Sequence, residues 1–149
     1  MRDVKGYEGL YAVDETGNVW SYRKNAWLSL LLSGVEYHQV DLWKNKKRKA
    51  YKVHKLVAQA YLENYSEDLH VDHIDGNIQN NHISNLRMVT HQQNHFNRTK
   101  AKGYCWDKKA EKWKAQIKVN YKAKYLGSFD TEAEARDAYL EAKKIFHII

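Results

Sequence analysis

This sequence predicts an α+β fold, and three observations carry that prediction. Short hairpin-like strand pairs fill the N-terminal third and lead into one amphipathic helix. A strand, a long polar loop, a second strand and a helix follow over residues 70–98. The last stretch alternates apolar and basic residues over three strands and then turns to a helical period, so a three-stranded antiparallel sheet should pack on one helix.

Residues Gly6 to Tyr22 read as a hairpin: Leu10-Tyr11-Ala12-Val13 enters Asp14-Glu15-Thr16-Gly17-Asn18, and Val19-Trp20-Ser21-Tyr22 returns. A second hairpin is expected from Val35–Trp43 and Ala50–Val53, joined by Lys44-Asn45-Lys46-Lys47-Arg48-Lys49. Five of those six residues are basic, and Lys46, Lys47 and Arg48 are candidate phosphate contacts. The run Ala26–Leu32 fits either a buried strand or an exposed subunit contact. Val53, Leu56, Val57, Ala60 and Tyr61 fall at i, i+3, i+4, i+7 and i+8, the period of an amphipathic helix. His54, at the start of that helix, reads as structural.

The central stretch is HVDHIDGNIQNNHISNLRMVTHQQNHFNR, His70 to Arg98. Apolar Val71 and Ile74 bracket Asp72 and His73, and Asp75-Gly76-Asn77 then supplies a turn, so a strand should end near Ile74. Asn85–Val89 is short and apolar enough for a second strand. Thr90-x-x-Gln93 is a capping box opening a helix. Asp72 offers a hard carboxylate oxygen and Asn94 a neutral carbonyl oxygen. Two protein oxygens leave most of an octahedral shell to water and phosphate, which suits Mg²⁺ or Mn²⁺. A neighbouring imidazole, that of His73, can remove a proton from an attacking water. His91, Asn94 and His95 share one helical face, making His91 and His95 candidate phosphate contacts. His70 and His82 read as strand-edge and loop residues.

These residues resemble the HNH, or ββα-metal, endonucleases, most of all the phage and intron homing type. The resemblance implies a DNA endonuclease in which His73 is the general base, Asp72 and Asn94 hold one metal, and Asn85 braces the loop. Asn80 and Asn81 are further candidates for the bracing role. Gly6-Tyr7-Glu8-Gly9-Leu10-Tyr11-Ala12-Val13, followed by Gly17-Asn18-Val19, resembles the NUMOD4 motif that precedes such cores. Val53-His54-Lys55-Leu56-Val57-Ala58 is similar to the segment usual upstream of them.

Beyond the basic segment Arg98-Thr99-Lys100-Ala101-Lys102, Trp113, Ala115, Ile117 and Val119 alternate with Lys112, Lys114, Gln116 and Lys118. Lys122 and Lys124 are expected on the same basic face. Thr131-Glu132-Ala133-Glu134 is a second capping box, and Ala135, Ala138, Tyr139, Ala142 and Phe146 form the inward face of its helix. Lys112–Ile117, Tyr125–Thr131 and Glu134–Tyr139 resemble an AP2 domain, which implies a sheet laid in the major groove. With Arg98, these polar and basic residues form the expected DNA contacts; lysine-rich outward positions favour affinity over sharp base reading.

The bulk composition agrees. A formal charge of +7 and a pI near 9.3 favour a polyanionic partner. One cysteine, Cys105, excludes an internal disulfide and a cysteine zinc cluster and points to a reducing compartment. No signal-peptide pattern opens the sequence, and no apolar run is long enough to span a bilayer. The expectation is a soluble, DNA-associated protein in the cytoplasm of a bacterial host, without membrane or evident obligate protein partner and with its oligomeric state open. Its parts would be a NUMOD4-like β-rich region (1–50), an HNH core (51–98), a basic linker (99–102) and an AP2-like domain (103–149). The reading is a metal-dependent homing nuclease or nickase acting on double-stranded DNA, with Mg²⁺ or Mn²⁺ as cofactor. Its rivals are a catalytically idle DNA-binding regulator and a nuclease acting on RNA.

Overall fold

A computed structural model describes residues 1–96 and 102–147. Mixed α+β architecture is observed, in two compact units, Met1–Thr90 and His91–Ile149. The expected boundary near residue 50 falls inside the first unit. Arg98 and most of the expected linker lie outside the described residues.

The first unit opens with a four-stranded antiparallel sheet of β1 (Arg2–Asp3), β2 (Tyr11–Val13), β3 (Val19–Ser21) and β4 (Ala26–Trp27), in that order. Asp14 makes the turn between β2 and β3: its Oδ1 accepts from the backbone N–H groups of Thr16 (2.9 Å) and Asn18 (2.8 Å). This side-chain mimicry of a backbone turn is why an acidic residue followed by Thr-Gly-Asn reverses the chain here.

A three-stranded sheet follows, β5 (Leu31–Leu32), β6 (His38–Lys44) and β7 (Lys47–Lys52). The expected six-residue basic loop is in fact a two-residue turn. Asn45 and Lys46 both have positive φ, 50° and 63°, the backbone of a tight hairpin turn whose twist matches its strands. Lys47, Arg48 and Lys49 therefore belong to β7 and alternate between its faces. Arg48 pairs with Asp41 at 3.3 Å. The Ala26–Leu32 run does not form one buried strand. It splits between β4 and β5, leaving Trp27, Leu31 and Leu32 exposed while Leu28 and Leu30 pack on the core.

Helix α1 (Val53–Tyr61) forms where the 3.6 period places it, burying Val53, Leu56 and Val57. They join Val4, Tyr7, Val13, Val19, Val40, Leu42 and Leu86 in one core. Burial of this apolar set is the main stabilising term for the unit. Strand β8 (His70–His73) pairs antiparallel with β9 (Leu86–Val89), and Asp72 lies opposite Arg87. β8 ends at His73, next to exposed Ile74, near where the turn signal places it. Asn85 closes a 3₁₀ turn, Ile83–Asn85, instead of starting the strand.

The second unit begins with a short helix, α2 (His91–Phe96). Strands β10 (Tyr104–Asp107), β11 (Lys112–Val119) and β12 (Lys122–Phe129) make an antiparallel sheet, and α3 (Glu132–Phe146) packs on it. The Thr131 hydroxyl accepts from Glu134 N–H, and the Glu134 carboxylate accepts from Thr131 N–H, the reciprocal cap expected. Gly103 passes so close to the Tyr139 ring that a Cβ there would lie 1.9 Å from it. Only glycine fits.

One face assignment is corrected. Ala115 pairs with Gly127 but Gln116 pairs with Tyr125, so Leu126 is an extra residue in β12. The bulge changes the faces of Gly127–Phe129, while the face of Lys122 and Lys124 is set at the other end by the two-residue turn Asn120-Tyr121, with φ of 50° and 63°. Lys124 lies opposite buried Ile117 and Lys122 opposite Val119, on the α3 side, where the Lys124 ammonium sits 4.2 Å from the Phe146 ring centre. Lys122 and Lys124 therefore do not share a face with Lys112, Lys114, Gln116 and Lys118. Tyr125 does, and the Lys114 ammonium lies 5.6 Å from its ring centre.

Candidate active site

The β8–β9 ribbon gathers the polar residues of the first unit. Asp72 and His73 are 6% and 4% exposed, which is unusual for groups that carry or take charge and calls for compensating contacts. For Asp72 the compensation comes from Arg87, whose Nε donates to Oδ2 over 2.9 Å. For His73 it comes from the loop: Nε2 lies 3.1 Å from Oδ1 of Asn81. Nδ2 of the same amide lies 3.3 Å from Nδ1 of His38 on β6.

Rings surround His73 as well. His54, from the first turn of α1, meets it edge-on with ring centres 5.1 Å apart, and Tyr37 lies 6.2 Å from it. Tyr37 also packs at 5.0 Å on His54 and carries the Lys52 ammonium 4.4 Å above its own ring. His54 is buried and its Nδ1 has no hydrogen-bond partner among the described residues. Burial, followed by the charges of His73, Lys52 and Lys55, pushes its pKa down to about 3. It is a neutral imidazole packed behind His73.

The loop between the strands is built on Asp75 and Asn85. Asn85 Oδ1 accepts from Asp75 N–H at 3.1 Å, while its Nδ2 donates to Asp75 Oδ1 and to the Asn80 carbonyl, both at 2.9 Å. Asn80 Nδ2 donates to the other oxygen of Asp75 at 2.8 Å, and Gly76 turns with φ of 75°. The Asn80 amide, the Asn77 N–H and the Asn85 amide hold the Asp75 carboxyl below the usual range. Of the three asparagines that are candidates for bracing, Asn85 and Asn80 tie the loop, whereas Asn81 turns to His73 and His38.

Asn94 lies on α2, in the second unit, half-buried; His91 and His95 are exposed on the same helix with ring centres 4.6 Å apart. As donors, the Asp72 carboxylate and an asparagine carbonyl are both hard oxygens and fit a partly hydrated divalent cation. Among the described residues, no three His, Cys, Asp or Glu side chains group as a metal cage. That donor set suits an open site better than a closed one.

Sequence reasoning has no means of finding the roles of Tyr37, His38 and Arg87. Their partners lie far along the chain, 43 positions in the case of His38 and Asn81. Among the described residues, no helix is long and apolar enough to cross a membrane.

The β8–β9 ribbon thus carries a buried Asp-His pair, with an asparagine-braced loop between its strands. Residues 51–96 match the family model described as HNH endonuclease. The chain is 45% identical over 93 residues to the DNA endonuclease I-HmuI of Bacillus phage SP01, covering 62% of this chain and 53% of that protein. An uncharacterized HNH endonuclease, L245 of Acanthamoeba polyphaga mimivirus, is 34% identical over 111 residues, 74% of this chain and 32% of its own length. A solved structure described as DNA binding and cleavage by the HNH homing endonuclease I-HmuI superposes with a TM-score of 0.62. It covers 64% of this chain and 55% of that one at 45% identity. The chain thus spans about half the length of I-HmuI.

Proposed function

We propose that this protein is a metal-dependent DNA endonuclease of the HNH homing type, cutting one strand per nuclease centre. The observation that carries this reading is the buried Asp72-His73 pair at the end of β8, inside a segment matching the HNH endonuclease family and resembling a DNA-cleaving relative.

In this reading His73 accepts the proton of a water that attacks a phosphodiester. Asp72 holds a divalent cation, Mg²⁺ or Mn²⁺, together with Asn94, and Arg87 fixes the Asp72 carboxylate by its bond to Oδ2. Such an ion, when bound, supplies positive charge to the phosphoryl and departing 3′ oxygens. Asn85 keeps the loop that follows His73 in one shape. Products would carry 5′-phosphate and 3′-hydroxyl ends. Double-stranded DNA is the proposed partner, met by the open face of the C-terminal sheet, with Lys112, Lys114, Gln116 and Lys118 toward phosphates. Lys46, Lys47, Arg48 and Arg98 are proposed as further backbone contacts, and His91 and His95 as contacts to the scissile phosphate.

The test is incubation of the purified chain with phage genomic DNA and Mg²⁺, followed by sequencing of the cut ends. Discrete cleavage that stops on chelation, in a protein that stays folded, is expected. Binding without cleavage at any divalent-ion concentration would make the protein a DNA-binding regulator; full activity in excess chelator would remove the metal.

A further inference from the structure

We infer that Asn81 is a positioning residue that sets which nitrogen of His73 carries its proton. The inference rests on the reading of His73 as the base, and it deepens that reading.

An amide group has one end that only accepts and one end that only donates. Asn81 directs the accepting end, Oδ1, to His73 Nε2 at 3.1 Å, and the donating end, Nδ2, to His38 Nδ1 at 3.3 Å. Both bonds exist together only if His73 carries its proton on Nε2 and His38 presents a bare Nδ1. The amide thereby links the two rings, and in this orientation it assigns the proton of His73 to Nε2. The nitrogen left with the lone pair is Nδ1, so that is the atom that takes the proton from water. A ring tautomer is set by the bond its other nitrogen makes.

The surroundings hold this arrangement in place. Asn81 is 4% exposed, and its Cβ packs beside Gly17, where a side chain of any size would come within 3.0 Å of it. The edge of His54 and the ring of Tyr37 pack against the imidazole of His73, so the ring cannot flip without displacing them. Asn81 is thus distinct from Asn85: Asn85 shapes the backbone of the loop, while Asn81 addresses the reacting ring.

The experiment uses the full chain with ¹⁵N-labelled histidine, the His73 signals being assigned by their loss in His73→Gln. Two-bond ¹H–¹⁵N spectra report the tautomer directly, and single-turnover cleavage of a DNA duplex reports the rate. Wild type should show His73 protonated on Nε2. Asn81→Leu, of similar shape but with no acceptor, should shift His73 to a mixture and slow the cleavage step roughly 10- to 100-fold at unchanged DNA affinity. Asn81→Asp, which keeps an acceptor in the same place, should restore the Nε2–H form and most of the rate. A wild-type proton on Nδ1, or an unchanged tautomer in Asn81→Leu, overturns the inference. If Asn81→Leu does not fold, Asn81→Ala is read in its place by the same spectra and rates, with the same outcomes. An Nε2–H signal that depends on Asn81, in a chain that cuts no DNA, would uphold the Asn81–His73 relationship and overturn the nuclease reading instead.

Discussion

Asp72 and Arg87 stand opposite each other across the β8–β9 ladder, and the guanidinium donates through Nε to Oδ2 of the buried carboxylate over 2.9 Å. Taking away the cation strands a carboxylate that is almost out of water. Arg87→Met should therefore lower unfolding free energy by roughly 1–3 kcal/mol, less than a fully buried pair because Arg87 is partly exposed. Urea unfolding at pH 7 measures it, and stability equal to wild type would mean that water or another group replaces Arg87 without cost.

Removal of the proposed base should separate chemistry from binding. His73→Ala is expected to slow cleavage by about 10²–10⁴-fold, the usual worth of a positioned general base. Duplex affinity should stay near that of wild type. A pure preparation of the variant that cuts at the wild-type rate would take His73 out of the mechanism.

His54 gives stability an acid limit. Its native pKa is depressed to about 3 from an ordinary 6.5, so the unfolded chain binds a proton that the folded one refuses. The associated stability is present above pH 6.5 and is lost as pH falls from 6.5 towards 3. Between about pH 7 and about pH 5 the loss from this group is about 2 kcal/mol. His54→Leu should show a correspondingly flatter decline over that interval, compared by chemical denaturation at both pH values. Parallel declines would mean that other groups set the acid sensitivity.

The two faces of the C-terminal sheet should behave differently towards DNA. Lys114 and Lys118 lie on the open face, Lys122 and Lys124 on the helix side. Replacing Lys114 and Lys118 by Gln should reduce the slope of log affinity against log salt by up to about 0.9 for each phosphate left without its lysine. The same exchange at Lys122 and Lys124 should alter the slope less and cost some folding stability instead. Equal slopes for both pairs would show that neither face docks on the phosphate backbone.

That contrast also marks what is legible in the sequence. The period of 3.6 over Val53–Tyr61, the alternation over Lys112–Val119 and the Thr131–Glu134 box are local signals, and the elements they specify are observed. The face of Lys122 and Lys124 escapes a reading of alternation alone because the two-residue turn Asn120-Tyr121 sets the register, placing Lys122 opposite Val119. The basic run from Lys44 reads as a loop because charge marks solvent exposure, not backbone shape; the two positive φ angles at Asn45 and Lys46 make it a turn and a strand. The Asp72-His73 pair is conspicuous as residue types on an apolar strand. Its supports, Arg87, Asn81, His38 and Tyr37, arrive through tertiary folding, and no spacing rule links them.

The Asp14–Asn18 turn bears on how such a protein can be divided. Its Gly17 lies against Val53 and Asn81, where a Cβ would come within about 3 Å of either, and the Glu15 carbonyl accepts from Ile83 N–H at 2.8 Å. The N-terminal strands are therefore a buttress for the loop behind His73, and the chain ahead of α1 contributes most of the core. A graft or recombination joint placed near residue 50 would hand over the β8–β9 ribbon without its supporting wall, and compensation would have to be found in the new host. The portable unit is the block of residues 1–90 together with α2, which carries the proposed ligand Asn94, and swaps are best tolerated downstream of that helix.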